Sequence, residues 1–118
     1  MMTLLEAIPQ TGHLEVDIKV SANVNVSAFS ARQKVNSFVL SEISYLIHAG
    51  QPTLVVGERI FWRVPVILSL ASRGDVGEVG HFDVDIETGQ IQTSPQLIAE
   101  IEDHAETIAA RTASQTTT

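Results

Sequence analysis

Three carboxylates that alternate along one short stretch are the residues of this sequence best suited to metal chemistry. Asp83, Asp85 and Glu87 are spaced two residues apart, so on a β-strand their side chains would share one face. A row of carboxylate oxygens can bind a hard cation such as Ca²⁺. A calcium-binding loop, however, has glycine directly after such a row and glutamate at its end, where this chain has Thr88 and Ser94. We therefore interpret the row as the hydrated face of a strand and expect no metal site.

The histidines, serines and glycines do not form a catalytic pattern. None of the histidines has a second histidine three or four residues away, as a helical zinc site requires; they are His13, His48, His81 and His104. No serine lies in a G-x-S-x-G motif, and the glycine-rich stretch 74–80 lacks the lysine of a phosphate-binding loop. Cysteine is absent, which excludes thiol nucleophiles and disulfides. We expect no catalytic residue and no cofactor, and hence no enzyme.

The distribution of charge argues against a nucleic-acid partner. The net charge is −7, and residues 75–118 carry nine acidic side chains against a single basic one, Arg111. A field of this sign repels phosphate backbones. No stretch approaches the roughly 18 apolar residues of a membrane span, and the first residues lack the basic start of a signal peptide. We therefore expect a cytoplasmic protein that binds neither nucleic acid nor membrane.

The elements that would position these residues follow from the spacing of the apolar side chains. Residues 14–26 alternate between apolar and polar types, which predicts a long strand with one hydrated face. Apolar residues then recur at three- and four-residue steps from Val35 to Ile47. This period predicts a helix over 28–49, which Gly50 would end.

The second half of the chain predicts short strands and a final helix. Turns short enough to require antiparallel neighbours separate four expected strands, at 54–56, 60–70, 79–87 and 90–92. Ser94 and Pro95 form a helix start, and an apolar stripe continues that helix to Arg111. The predicted fold is α+β, an antiparallel β-meander with two helices in the order β-α-β-β-β-β-α. We expect one domain, residues 1–111, followed by a disordered tail, residues 112–118.

One part of this pattern is similar to a known family. Residues 84–91 read Val-Asp-Ile-Glu-Thr-Gly-Gln-Ile, and they follow an aromatic strand that includes Phe61-Trp62-Arg63. With the preceding helix, the chain resembles PepSY-like domains over roughly residues 28–92. The resemblance implies a non-catalytic binding or inhibitory module and carries over no catalytic residue.

The strand at 60–70 is apolar on both faces, which leaves two arrangements open. One face carries Trp62 and further large apolar residues; the opposite face carries Phe61, Arg63, Pro65 and Ile67. A strand that is apolar on both faces is usually covered on both. Either the two helices cover one face each, or the face with Phe61 meets another subunit.

These observations favour a non-enzymatic module for protein interaction or assembly. An enzyme would need a convergent base, oxyanion donor or metal site, and the sequence indicates none. The alternative is a small-ligand-binding domain with a pocket between the first helix and the sheet. Trp62, Phe38 and Tyr45 are the candidate lining residues of that pocket.

We predict that the protein is a homodimer joined across the sheet through Phe61, Arg63, Pro65 and Ile67. The predicted strand 14–26 exceeds the usual strand length, so its unpaired backbone groups invite a partner chain. Two-fold pairing then lets one patch cover itself. Phe61→Glu or Ile67→Glu should split the dimer while the fold survives. Light scattering tests this: a wild-type mass near 12.8 kDa would contradict the prediction.

Overall fold

In the computed structural model, which describes residues 2–3, 19 and 21–116, two helices pack against one antiparallel sheet. The α+β fold expected from the sequence is therefore confirmed. In chain order the elements are β1 (Met2–Thr3), α1 (Ala28–Glu42), β2 (Ile47–Ala49), β3 (Thr53–Gly57), β4 (Ile60–Leu70), β5 (Gly74–Asp85), β6 (Ile91–Gln92) and α2 (Pro95–Thr116).

The sheet is built on the hairpin of its two longest strands, β4 and β5. β4 pairs with β5 from Phe61 to Leu70. Two irregularities shift the register, so that Val76 and Val79 of β5 have no partner residue on β4. With these bulges residues 74–78, which lie between the strands predicted at 60–70 and 79–87, form the first part of β5.

The other strands complete the meander on either side of this hairpin. β3 pairs with the first half of β4, with Thr53 opposite Arg63, and β2 pairs with the second half, with Ile47 opposite Leu68. β6 pairs with β5, and β1 pairs with β3. All of these pairs are antiparallel, as the short connections require.

Helix α1 begins where the sequence predicts but ends well before residue 49. The Ser27 Oγ accepts a hydrogen bond from the Ser30 backbone N–H at 3.1 Å and caps the N-terminus. The helix stops at Glu42, and β2 follows. In β2 both Ile47 and Ala49 are buried, a spacing typical of a strand, although Ile47 also continues the helical period. Pairing with β4 makes this segment a strand rather than a continuation of the helix.

The long strand predicted over 14–26 is absent from the part of this segment that the structure describes. Residues 14–18 and 20 lie outside the described residues. Residues 21–25 belong to no strand and are exposed, Val24 by 63%. The chain reaches the sheet at Val26. The Val26 side chain is buried, and its N–H donates to the Ile86 carbonyl at 3.0 Å. Alternation indicates an extended segment, but a strand also needs a ladder of backbone partners.

Both helices lie on the same face of the sheet and bury one hydrophobic core. Phe38 of α1 meets Phe82 of β5 edge to face, with ring centroids 5.3 Å apart. Trp62 packs against the same core, and its indole N–H donates to the Val26 carbonyl at 2.7 Å. The core includes Ala31, Val35 and Val39 of α1, Val64, Val66 and Leu68 of β4, Phe82 and Val84 of β5, and Ile101 of α2. The arrangement with one helix on each face is therefore wrong.

Helix α2 starts as predicted and runs further than predicted. The Ser94 Oγ accepts a hydrogen bond from the Leu97 N–H at 3.1 Å, ahead of Pro95 in the first turn. The helix continues to Thr116, so residues 112–116, expected in a disordered tail, are helical. Neither described helix combines the length and the apolar character needed to cross a bilayer.

Close packing of α2 on β5 depends on glycine, and substitution should reveal it. A Cβ added at Gly80 would lie 2.6 Å from Ile101 Cγ1, whereas one at Gly77 would lie 3.1 Å from the terminal Cδ1 of Ile108. Because Ile101 is fully buried, we expect Gly80→Ala to lower the free energy of unfolding by about 2 kcal/mol. Gly77→Ala should lower it less, since the end of the Ile108 side chain can turn away. Urea denaturation measures both, and equal losses would contradict this account.

Candidate functional site

The four residues predicted as a dimer interface lie together on the face of β4 that points away from the helices. Phe61 is 9% exposed, and Arg63, Pro65 and Ile67 are half-buried. The Arg63 Nε donates to Asp83 Oδ1 at 3.1 Å, and its guanidinium carbon lies 5.5 Å from the centre of the Phe61 ring. Phe61→Glu would therefore place a carboxylate in a buried site. This burial argues against the expectation that Phe61→Glu spares the fold. Association of two copies across this face stays a prediction.

The three residues predicted to line a ligand pocket are not brought together. Phe38 borders a cavity of about 610 Å³ beside α1, and neither Trp62 nor Tyr45 lines that cavity. Trp62 is half-buried and bonded to Val26. Tyr45 is 81% exposed, because α1 ends at Glu42 and Tyr45 falls in the turn that follows.

The carboxylate row is divided among separate structural roles. Asp83 pairs with Arg63. Asp85 closes the turn after β5, where its Oδ1 accepts from the N–H groups of Glu87 at 2.8 Å and Thr88 at 2.9 Å. These hydrogen bonds, that of Thr88 foremost, lower the pKa of Asp85. Within the described residues, no three carboxylate, histidine or cysteine side chains converge as a metal site would require.

His48 and His104 also make structural contacts. The His48 Nε2 lies 2.8 Å from Asp75 Oδ1, and this hydrogen bond is the main cause that lowers the pKa of Asp75. The His104 Nδ1 donates to the Val79 carbonyl at 3.1 Å. Val79 is one of the two β5 residues that the bulges leave without a partner residue on β4. His13 lies outside the described residues. The first contact links β2 to β5 across β4, and the second links α2 to β5.

Side chains of α1 close part of the outer edge of β2. The Ala49 N–H donates to Asn36 Oδ1 at 3.0 Å, and the Ala49 carbonyl accepts from Arg32 Nε at 3.2 Å. Free groups on an edge strand invite a further strand. Because both groups of Ala49 are satisfied within the chain, β2 does not offer them to a partner.

A groove between α2 and the turn that follows α1 exposes apolar side chains. It has a volume of about 330 Å³. One wall comes from the turn after α1, the other from α2, and the floor from β4 and the start of β2. We call this site the interhelical groove; its apolar lining is Ile43, Leu46, Ile47, Leu68, Leu70, Ala105 and Ala109, and its polar lining is Ser44, Glu102 and Glu106.

The local sequence explains why this space is left open. Because α1 ends at Glu42, the chain turns toward β2 and leaves Ile43 and Leu46 half-buried at the end of the helix. On the opposite wall α2 presents Ala105 and Ala109, whose side chains are too short to cross the space above β4. Both walls are therefore apolar and neither fills the groove.

Two glutamates of α2 form the charged rim of the groove. Glu102 and Glu106 are exposed, stand one helical turn apart, and form no ion pair with a described basic side chain. Like charges at this spacing destabilise a helix by a few tenths of a kcal/mol. The sequence did not predict this site. The available signal was the alternation of glutamate and alanine at Glu102, Ala105, Glu106 and Ala109, on the side of α2 next to its apolar stripe.

We predict that Asp85 stabilises the fold in a pH-dependent way. Its pKa lies below the ordinary value of 3.8, so its stabilisation is complete at neutral pH. That stabilisation is lost as pH falls from about that value through the lower folded-state pKa. Asp85→Ala should lower the free energy of unfolding by about 1 kcal/mol at pH 7, allowing for solvent screening. Urea denaturation at pH 7 and pH 3 should show the difference from wild type shrinking at low pH; a constant difference would contradict it.

Comparison with known proteins does not add to this geometry. No family model matches the chain, and no similar curated protein or solved structure was found. The resemblance to PepSY-like domains therefore stays a prediction.

Proposed function

We propose that this protein is a non-catalytic interaction module that holds an apolar segment of a partner protein in the interhelical groove. One observation carries the proposal: Ile43, Leu46 and Leu70 are half-buried apolar side chains that open onto one concave site. Covering apolar surface is favourable by about 25 cal/mol per Å². A segment that fills the groove therefore gains binding free energy from side chains that this chain leaves in contact with water.

The length of the groove suits a helical segment. Its α2 wall extends from Glu102 to Ala109, which corresponds to about 10 Å along the helix axis, or two turns. Helices that bind in grooves do so through apolar anchors at i, i+3 or i+4, and i+7. Such anchors span the same two turns. A partner helix of ordinary length can therefore place a continuous apolar stripe along the groove.

The polar groups of the groove support binding rather than catalysis. Ser44 supplies the only hydroxyl among the described lining residues, and its Oγ accepts from the Leu46 N–H at 3.0 Å in the turn after α1. A hydrolytic site needs a nucleophile with a base and an oxyanion donor beside it. The lining residues supply a turn-forming serine and two exposed carboxylates instead.

A second candidate is a small-ligand-binding domain with its pocket between α1 and the sheet. The wider cavity bordered by Phe38 lies there and favours this alternative. We rank it second because Lys34, the cation of that cavity, already donates from Nζ to the Gly89 carbonyl at 3.2 Å. The aromatic residues Trp62 and Tyr45 contribute nothing to its lining.

Filling the groove should abolish binding of an apolar helical segment. Ala109→Phe places a ring in the groove, and Ala110→Phe, the matched control, places the same ring at an exposed neighbouring position outside it. The probe is a fluorescent helical peptide of about 15 residues, with leucines spaced i, i+3, i+7 and with alanine and glutamine elsewhere. We expect Ala109→Phe to weaken its binding at least about tenfold and Ala110→Phe less than about twofold, measured by fluorescence anisotropy.

Circular dichroism melts establish that both variants fold. Equal effects of the two substitutions would place binding outside the groove and contradict the proposal. So would the failure of every leucine-patterned peptide, neutral or charged, to bind saturably below about 1 mM.

A further inference from the structure

We propose that the segment bound in the interhelical groove is a basic amphipathic helix, whose lysine or arginine side chains lie against Glu102 and Glu106. This inference rests on the proposed function and adds the chemical class of the partner. It is drawn from three features of the described residues: the uncompensated charge of the rim, the spacing of the two carboxylates, and the small side chains beside them.

The first feature is the charge of the rim. From residue 75 onward the chain carries nine acidic side chains and one basic one, and four of those acids lie on α2 between residues 100 and 106. The opposite wall, residues 43–46, carries no basic side chain, and the basic residues Arg32 and Lys34 of α1 donate to backbone carbonyls outside the groove. A cationic partner would supply the counter-charge that the described part of the chain does not.

The second feature is the spacing of the carboxylates. Glu102 and Glu106 are four residues apart on α2, so they stand about 6 Å apart along the helix axis on the same side. Basic residues three or four apart on a partner helix have the same spacing and can face both carboxylates at once. A single exposed ion pair contributes little binding free energy. Two such pairs together discriminate more strongly between a basic and a neutral partner helix.

The third feature is the alanine surface beside the carboxylates. Ala105 and Ala109 line the wall beside the rim and leave room next to the charged groups. Lysine and arginine bury their aliphatic stems on apolar surface while the charged end stays in water. A basic side chain can therefore cover the alanines with its stem and reach a glutamate with its charge, which a short neutral residue cannot do.

The same charges disfavour other macromolecules as occupants. Phosphate backbones and anionic lipid headgroups are repelled by the acidic rim. A neutral apolar helix would cover the apolar floor of the groove but would leave the two glutamates without a partner. The features together favour a protein segment that is apolar on one side and basic along its edge.

The test compares three helical peptides with the same leucine pattern, which carry lysine, glutamine or glutamate at two edge positions four residues apart. We expect the lysine peptide to bind about three- to thirtyfold more tightly than the glutamine peptide, and the glutamate peptide to bind most weakly. The difference should shrink as the salt concentration is raised from about 50 mM to about 500 mM, because salt screens exposed charges.

Charge reversal on the protein then locates the effect. Glu102→Lys with Glu106→Lys should invert the preference, so that the glutamate peptide binds better than the lysine peptide. The control is Glu100→Lys with Asp103→Lys, which changes the net charge equally at exposed α2 positions outside the groove. It should leave the order of the three peptides unchanged.

The outcomes separate this inference from the proposed function. If the glutamine and lysine peptides bind equally and Ala109→Phe still blocks both, the groove binds apolar helices and the basic partner is wrong. If the two charge reversals have equal effects, the preference comes from the overall field and the assignment to Glu102 and Glu106 is wrong. If no peptide binds, the proposed function fails as well.

Discussion

The rest of this structure depends on the burial of one face of the β4–β5 hairpin. Val64 and Val66 of β4, with Phe82 and Val84 of β5, are completely enclosed under the two helices. Each such side chain contributes about 1.5–3 kcal/mol when it is removed from water, which exceeds the contribution of an exposed ion pair. Because the apolar side chains of both helices meet this face, α1 and α2 must share it. The interhelical groove is the space left between α2 and the turn that follows α1.

The helices also complete hydrogen bonds that the sheet leaves open. Arg32 and Asn36 of α1 bond to the backbone of Ala49 in β2, and His104 of α2 bonds to the carbonyl of Val79 at a bulge in β5. A backbone N–H or C=O group that is removed from water without a hydrogen-bond partner lowers the stability of the fold by about 1–3 kcal/mol. Arg32 and Asn36 thereby occupy the Ala49 backbone groups through which another strand could add at the outer edge of β2.

The interhelical groove departs from what stability alone would favour. Larger side chains at Ala105 and Ala109 would cover Leu70 and fill the space between the helices. A basic residue in place of Glu102 or Glu106 would remove a repulsion within α2. Concave apolar surface with unpaired charge at its rim is typical of interaction sites rather than of inert surface.

The sequence by itself determined the elements that depend on near neighbours, and only the tertiary structure decided those that depend on distant ones. Local sequence rules make three features predictable: the cap at Ser27, the helix start at Ser94 and the turn at Asp85. By contrast, β2 forms because the edge of β4, about twenty residues later in the chain, pairs with it. The same dependence on distant partners placed both helices on one face and turned the glycine-rich segment into a strand. The groove escaped prediction because its walls come from segments about sixty residues apart, and only packing on β4 brings them together.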